Sequence, residues 1–190
     1  MSFQGTIVNK LNGGLGRTTS SDRVICLIAG MTLVGDLAYN TATELLDINA
    51  VEELGITAST DDTNSELLYY HLSEMFRLAP EATFWLIPVD KTKTVAALVA
   101  DADLKAAIRG IKGINVLGIS GLATPAESAL VDAVALQSLV TSFLAEYLYI
   151  DGILVEGVGA AEAITVTDYP DLRTVTAPNI LCGWTRSFRG

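Results

Sequence analysis

The chain has 190 residues, of which 50% are hydrophobic and only 18% are charged. Its hydrophobic content excludes a wholly disordered protein, and its formal net charge of −10 excludes a typical nucleic-acid binder. Two cysteines and one histidine exclude a disulfide scaffold and the common Cys/His zinc sites. Soluble domains usually contain about 25% charged residues, so we expect this chain to bury part of its surface against other subunits.

Residues 1–23 predict an extended N-terminal arm. Residues 3–8 are compatible with a short strand, whereas the glycine-rich residues 12–17 are incompatible with a regular helix or strand. The first residues lack the basic start, apolar stretch and cleavage site of a secretory signal, so we expect synthesis in the cytoplasm and no membrane binding by the subunit. A strand beyond a glycine-rich link is able to pair within its own chain or to extend the sheet of a neighbour.

Apolar runs then alternate with helical patterns over residues 24–190. Runs of β-type residues predict five strands, at residues 24–30, 83–89, 114–119, 153–158 and 179–184. Helical spacing predicts helices at residues 44–54, 65–78, 94–108 with a break near 101–103, and 126–150. This alternation predicts one α/β core domain, a three-layer sandwich with a mainly parallel sheet of about five strands and helices on both faces.

The last predicted helix has two different sides. Apolar residues at helical spacing are expected to face the sheet, namely Leu136, Val140, Phe143 and Tyr147, with Leu130, Leu144 and Leu148 beside them. The opposite side carries small or uncharged residues, namely Ser138, Thr141, Ser142, Ala145 and Tyr149, with Glu127 near its start. A side with so few charges indicates either contact with another protein surface or burial within the same domain.

Catalytic groups are few. The single histidine, His71, precedes Glu74 by one helical turn, a spacing that suits an acid–base pair or an interface contact. Ser120 ends a predicted strand, and Asp151 and Glu156 flank another. Because ligands of parallel sheets usually bind at the carboxyl ends of strands, these residues define an alternative: a small α/β enzyme or ligand-binding module with a carboxylate-containing site there.

Two segments carry a family resemblance. The arm contains Leu15, Gly16 and Arg17, followed by Asp22 and an apolar strand. Residues 69–80 read Tyr-Tyr-His-Leu-Ser-Glu-Met-Phe-Arg-Leu-Ala-Pro and lead into an aromatic strand at residues 84–86. Over most of residues 10–185 the chain resembles the sheath proteins of contractile phage tails, prophages and related contractile injection systems.

The resemblance implies a structural subunit without catalysis, cofactor or metal. Sheath subunits polymerise as a helical tube around an inner tail tube protein, and their terminal arms add strands to neighbouring subunits within the assembled particle. Residues expected at interfaces are Phe3, Ile7, Val8, Arg17, Asp22, His71 and Glu74. Sheath proteins usually continue with a further C-terminal portion, whereas this chain ends soon after the fifth predicted strand. We expect a truncated form, a fragment of a degenerate prophage gene or a short relative.

Overall fold

A computed structural model describes residues 23–122, 128–158 and 171–185 of the chain. The strands are β1 (Val24–Met31), β2 (Thr43–Leu45), β3 (Thr83–Asp90), β4 (Ile114–Ser120), β5 (Gly152–Val158) and β6 (Ile180–Thr185). The helices are α1 (Ile48–Glu53), α2 (Ala58–Asn64), α3 (Leu68–Leu78), α4 (Val95–Ala100), α5 (Ala102–Gly110) and α6 (Ala129–Ala145), with a short 3-10 turn at Leu172–Thr174. These elements confirm the predicted α/β fold.

The six strands form one sheet in the order β2-β3-β1-β4-β5-β6. All neighbouring strands are parallel except β2, which pairs antiparallel with β3. The central strand β1 is continuously apolar because both of its faces are covered by helices, as expected for the interior of a parallel sheet. The chain reverses direction across the sheet at β1, since β3 lies on one side of it and β4 on the other.

Two hydrophobic clusters, one on each face, make the fold a three-layer sandwich. The larger cluster contains alternate residues of β1, β3, β4 and β5 and is covered by α4, α5 and α6, with Phe143 and Ile153 fully buried. The smaller cluster lies under α1 and α3 and joins Leu72 to Leu27, Phe84 and neighbouring residues of β1, β2 and β3. The second helix layer therefore covers only the β2-β3-β1 side of its face.

Two predicted helix boundaries need correction, and a predicted helix break is confirmed. The helix predicted from residue 44 begins only at Ile48, because Thr43–Leu45 forms an edge strand and Asp47 caps the helix. The helix predicted from residue 65 begins only at Leu68, and an unpredicted helix, Ala58–Asn64, precedes it. Asp61, expected just before the predicted helix, lies within this earlier helix and accepts a hydrogen bond from the backbone N–H of Tyr70. The predicted break near residue 101 is confirmed, since Asp101 caps α5 directly after α4 ends.

The last long helix is shorter than its apolar pattern predicts. Leu136, Val140 and Phe143 face the core as expected, but α6 ends at Ala145. Tyr147 then adopts a left-handed backbone conformation with φ of 62° and is 83% exposed, so its predicted contact with the sheet is wrong. The predicted place of Leu144 beside the sheet-facing residues is also wrong, since its side chain is 50% exposed. The helix pattern continues past the point where the backbone turns towards β5.

The two cysteines lie on strands that are not neighbours. Cys26 is on β1 and Cys182 on β6, with β4 and β5 between them. Strands are about 4.8 Å apart, so three steps across the sheet separate the two by about 14 Å, well beyond disulfide distance. Burial raises the pKa of the Cys26 thiol far above its ordinary value, which fits a small core residue rather than a reactive one.

Candidate functional site

The histidine bridges α3 and β5. His71 Nε2 lies 3.3 Å from Glu156 Oε2, and both side chains are largely shielded from solvent. The hydrogen bond with Glu156 raises the pKa of His71, burial opposes this effect, and the negative charge of Asp61 adds to it. Glu74 is not the partner of His71: it accepts a hydrogen bond from Arg77 Nε at 2.9 Å on the exposed side of α3. The histidine therefore fixes α3 to the sheet at the border of the covered region.

The residues of the alternative enzyme site do not form one cluster. Ser120 is buried at the carboxyl end of β4, whereas Asp151 directly precedes β5 and so lies at the opposite edge of a parallel sheet. Glu156 is near the carboxyl end of β5, but it is engaged with His71. The sequence could not reveal this arrangement because the relative register of the strands is a tertiary property.

Main chain fills the position where open α/β sheets usually bind ligands. That position is the carboxyl end of the strands where the chain reverses direction, here between β1 and β4. A Cβ placed on Gly30 would lie 2.5 Å from the carbonyl oxygen of Gly121, and one on Gly121 would lie 2.3 Å from that of Gly30. Gly121 also has φ of +72°, a conformation that favours glycine. The two strand ends thus touch backbone to backbone.

Within residues 23–122, 128–158 and 171–185, no helix covers one half of one sheet face. A single row runs across the sheet in register through Leu27, Gly118, Leu154 and Leu181. Leu27 is 5% exposed beneath the helix layer, but Leu154 is 51% and Leu181 63% exposed. We call the region formed by Val116, Gly118, Gly152, Leu154 and Leu181 the open half-face. The sequence pattern does not reveal it, because strands of a parallel sheet are expected to be covered on both faces, although Gly118 and Gly152 lie on this side of β4 and β5.

The outer side of α6 is the second neutral surface. Between Asp132, which is buried, and Glu146 the helix has no charged residue. Val131, Val134 and Leu144 are exposed hydrophobic residues on this helix. The sequence-predicted residues Ser138, Thr141, Ser142 and Ala145 also lie on the exposed side. The predicted neutral outer side is therefore present, and it is not buried within the described part of the chain.

The two borders of the sheet differ. At one border, the short strand β2 covers Phe84–Leu86 of β3. Beyond β2, Pro88 of β3 accepts a hydrogen bond from the backbone N–H of Asn40 and has no N–H of its own to offer another strand. At the other border, β6 pairs only with β5 among the described residues. Its sequence Ile-Leu-Cys-Gly-Trp-Thr contains no charge and no proline. In an edge strand of this length, a charged residue or a proline usually prevents pairing with another chain.

Several predictions concern residues outside the described ranges. Residues 1–22 of the predicted arm are among them, and the interface assignments there stay predictions, namely Phe3, Ile7, Val8, Arg17 and Asp22. Across the ranges that the structure describes, no group of three His, Cys, Asp or Glu residues is placed to hold a metal ion. Within the same ranges, no helix combines the length and the hydropathy required to cross a membrane.

The chain matches a known protein family over most of its length. A profile of DUF2586, described as the N-terminal domain, covers residues 3–178. The chain belongs to the DUF2586 family. No curated protein matches the chain. The DUF2586 match spans the whole described sheet up to the start of β6, including α3, α6 and the open half-face.

Proposed function

We propose that this DUF2586 domain is a structural subunit of a contractile phage tail sheath or a related injection machine. In this proposal, subunits polymerise through strand addition between neighbours and enclose an inner tube protein. The resemblance of residues 69–80 to sheath proteins suggests the assembly. The edge of β6, which no other strand of the described residues covers, is the observation that carries the proposal. The protein has no catalytic role in this account.

The edge of β6 suits an added strand. The carbonyl oxygen of Asn179 accepts a hydrogen bond from the backbone N–H of Ile153, so Asn179 and, two residues on, Leu181 direct their backbone groups towards β5. The backbone N–H of Cys182 consequently points to the outer edge. Each backbone hydrogen bond to an added strand contributes a net of about 0.5–1.5 kcal/mol, so several of them repeated by symmetry hold an assembly together.

The neutral surfaces favour assembly over a soluble enzyme. A surface that stays in water normally carries Lys, Glu or Arg, and both the outer side of α6 and the open half-face lack these residues, apart from Glu156 at the border. The alternative enzyme would need a ligand site at the strand ends, where Gly30 and Gly121 are in direct contact.

A pair of substitutions at Cys182 tests strand addition. Cys182→Pro removes the outward N–H without removing a hydrogen bond to β5, whereas Cys182→Ala keeps it. We expect the alanine variant to assemble like the unmodified chain in negative-stain electron microscopy, and the proline variant to remain in small species with an unchanged circular dichroism spectrum. Equal assembly of two folded variants would contradict strand addition at β6.

The arm is tested separately by deletion of residues 1–10. We expect this deletion to abolish polymerisation and to leave a folded core, because the arm is the proposed added strand. Tubes of unchanged length from the deleted protein would show that the arm does not supply that strand. The deletion tests whether residues 1–10 supply the added strand, and the two Cys182 variants test whether β6 is the edge that accepts it.

A further inference from the structure

The open half-face and the outer side of α6 are complementary surfaces of the same chain. We propose that the open half-face of one copy receives the outer side of α6 from a second copy. This inference rests on the proposed function and deepens it, since it names the surfaces through which subunits stack. Each contact completes a three-layer sandwich, with a helix on the part of the sheet that the helices of the described residues leave uncovered.

The open half-face is built for a helix. Its inner border is the edge of α3, where Leu27 packs over Gly118, 3.1 Å from the position of a Cβ there. Beyond that border Leu154 and Leu181 stand exposed beside residues with little or no side chain. Glu156 is the charged residue on the described part of this face, and it is paired with His71. A neutral helix therefore docks there without leaving an unpaired charge beneath it.

Removing water from the outer side of α6 costs little free energy. Its hydroxyl groups donate to carbonyl oxygens of the same helix: Ser138 to Val134 at 3.0 Å, Thr141 to Gln137 at 2.9 Å, and Ser142 to Leu139 at 2.7 Å. These groups are already satisfied, so burying them carries no penalty for an unmade hydrogen bond. The same side presents Val131, Val134 and Leu144 as apolar contacts.

The two surfaces match in length and charge. A helix of 17 residues is about 26 Å long, and a strand of 7 residues is about 23 Å long. Both surfaces are neutral, whereas the chain as a whole has a net charge of −10, so other parts of two copies repel each other. This difference in charge selects a second copy's α6 as the occupant over the acidic remainder of the chain.

The geometry makes the contact head-to-tail. In one copy, α6 covers the sheet face that carries Ile153, and the open half-face is on the opposite side of the sheet. Each copy therefore contacts one neighbour through its α6 and another neighbour through its open half-face. Such a heterologous contact produces an open-ended assembly. One helix on a sheet buries less than the roughly 800 Å² per partner of a standard interface, so this contact acts together with strand addition.

Two charge insertions in the full chain, Thr141→Glu on α6 and Leu154→Asp on the open half-face, test the proposal. Each variant alone is expected to lose self-association at least tenfold in sedimentation velocity, because it buries an unpaired carboxylate. Mixed in equal amounts, the two variants are expected to form a pair that does not grow, since only one undamaged helix and one undamaged half-face remain to meet.

Matched controls separate this contact from general effects of charge. Thr63→Glu alters an exposed threonine of α2 that also donates to the carbonyl oxygen four residues before it, and Leu46→Asp alters an 80% exposed leucine elsewhere. Both controls are expected to associate like the unmodified chain. If Thr141→Glu and Leu154→Asp associate equally well, another partner covers these surfaces and the inference is wrong. A chain that stays monomeric without any substitution would instead overturn the proposed function itself.

Discussion

The two faces of β5 show how one strand serves two environments. Ile153 and Val155 point to the face covered by α6 and are 0% and 7% exposed, whereas Leu154 points to the other face and is 51% exposed. All three are ordinary strand residues, so their chemistry does not explain the difference. The cause is the reach of the helix layers: α6 covers β5 and β6, but α3 stops at the border marked by His71 and Glu156. Adjacent residues of β5 therefore differ in exposure because a helix covers one face of the strand and the described helices leave the other uncovered.

The largest effect is expected from truncating the covered side of β5. Ile153→Ala leaves a cavity in the core and should lower the free energy of unfolding by about 2–5 kcal/mol. The matched change Leu154→Ala on the open side should lower it by less than about 1 kcal/mol, because that side chain is half-exposed. Urea denaturation of both variants below the concentration of assembly measures the difference. Equal losses would mean that the open half-face is buried within the monomer.

A second variant tests the backbone contact between the ends of β1 and β4. Gly121→Ala should lower the free energy of unfolding by roughly 2–4 kcal/mol, since its φ is +72° and its new Cβ meets the Gly30 carbonyl oxygen. Gly110→Ala, where no atom lies within 4 Å of the new Cβ, should be neutral or slightly stabilising. Thermal unfolding of the two alanine variants checks this prediction. A neutral Gly121→Ala would mean that the ends of β1 and β4 are not in close contact. The strand ends would then have room for a ligand, which would favour the enzyme alternative.

The smallest effect is expected at the border pair. The pKa of His71 is raised above its ordinary value, so the pair stabilises the fold fully below about pH 6.5, while Glu156 is ionised, and this contribution disappears as pH rises through the raised pKa. Glu156→Gln should therefore lower the pKa of His71 and destabilise the fold most at mildly acidic pH. Because the chain has one histidine, a single ring resonance in an NMR titration reports this pKa.

The control for the histidine titration uses the other carboxylate. Glu74→Gln removes the partner of Arg77 and should leave the pKa of His71 unchanged, although Glu74 is the nearer residue in sequence. If Glu74→Gln rather than Glu156→Gln shifts the histidine resonance, then Glu74 is the partner of His71 and the contact between α3 and β5 is absent.

The sequence predicts the features that depend on local pattern. Continuous apolar runs identify the interior strands, and helical spacing identifies the buried stripe of α6 through Phe143. It does not predict β2, because Thr43–Leu45 is too short to show a period and becomes a strand only by pairing with β3. It also does not reveal that Glu156 is the partner of His71, since they belong to different elements and only the sheet register brings them together.

The size distribution of the full-length chain over a range of concentrations tests the central claim most directly. Sedimentation velocity with negative-stain electron microscopy of the same samples measures it. Copies that complete each other through β6, α6 and the open half-face predict open-ended particles that lengthen as concentration rises. A compact monomer at every concentration would contradict the account.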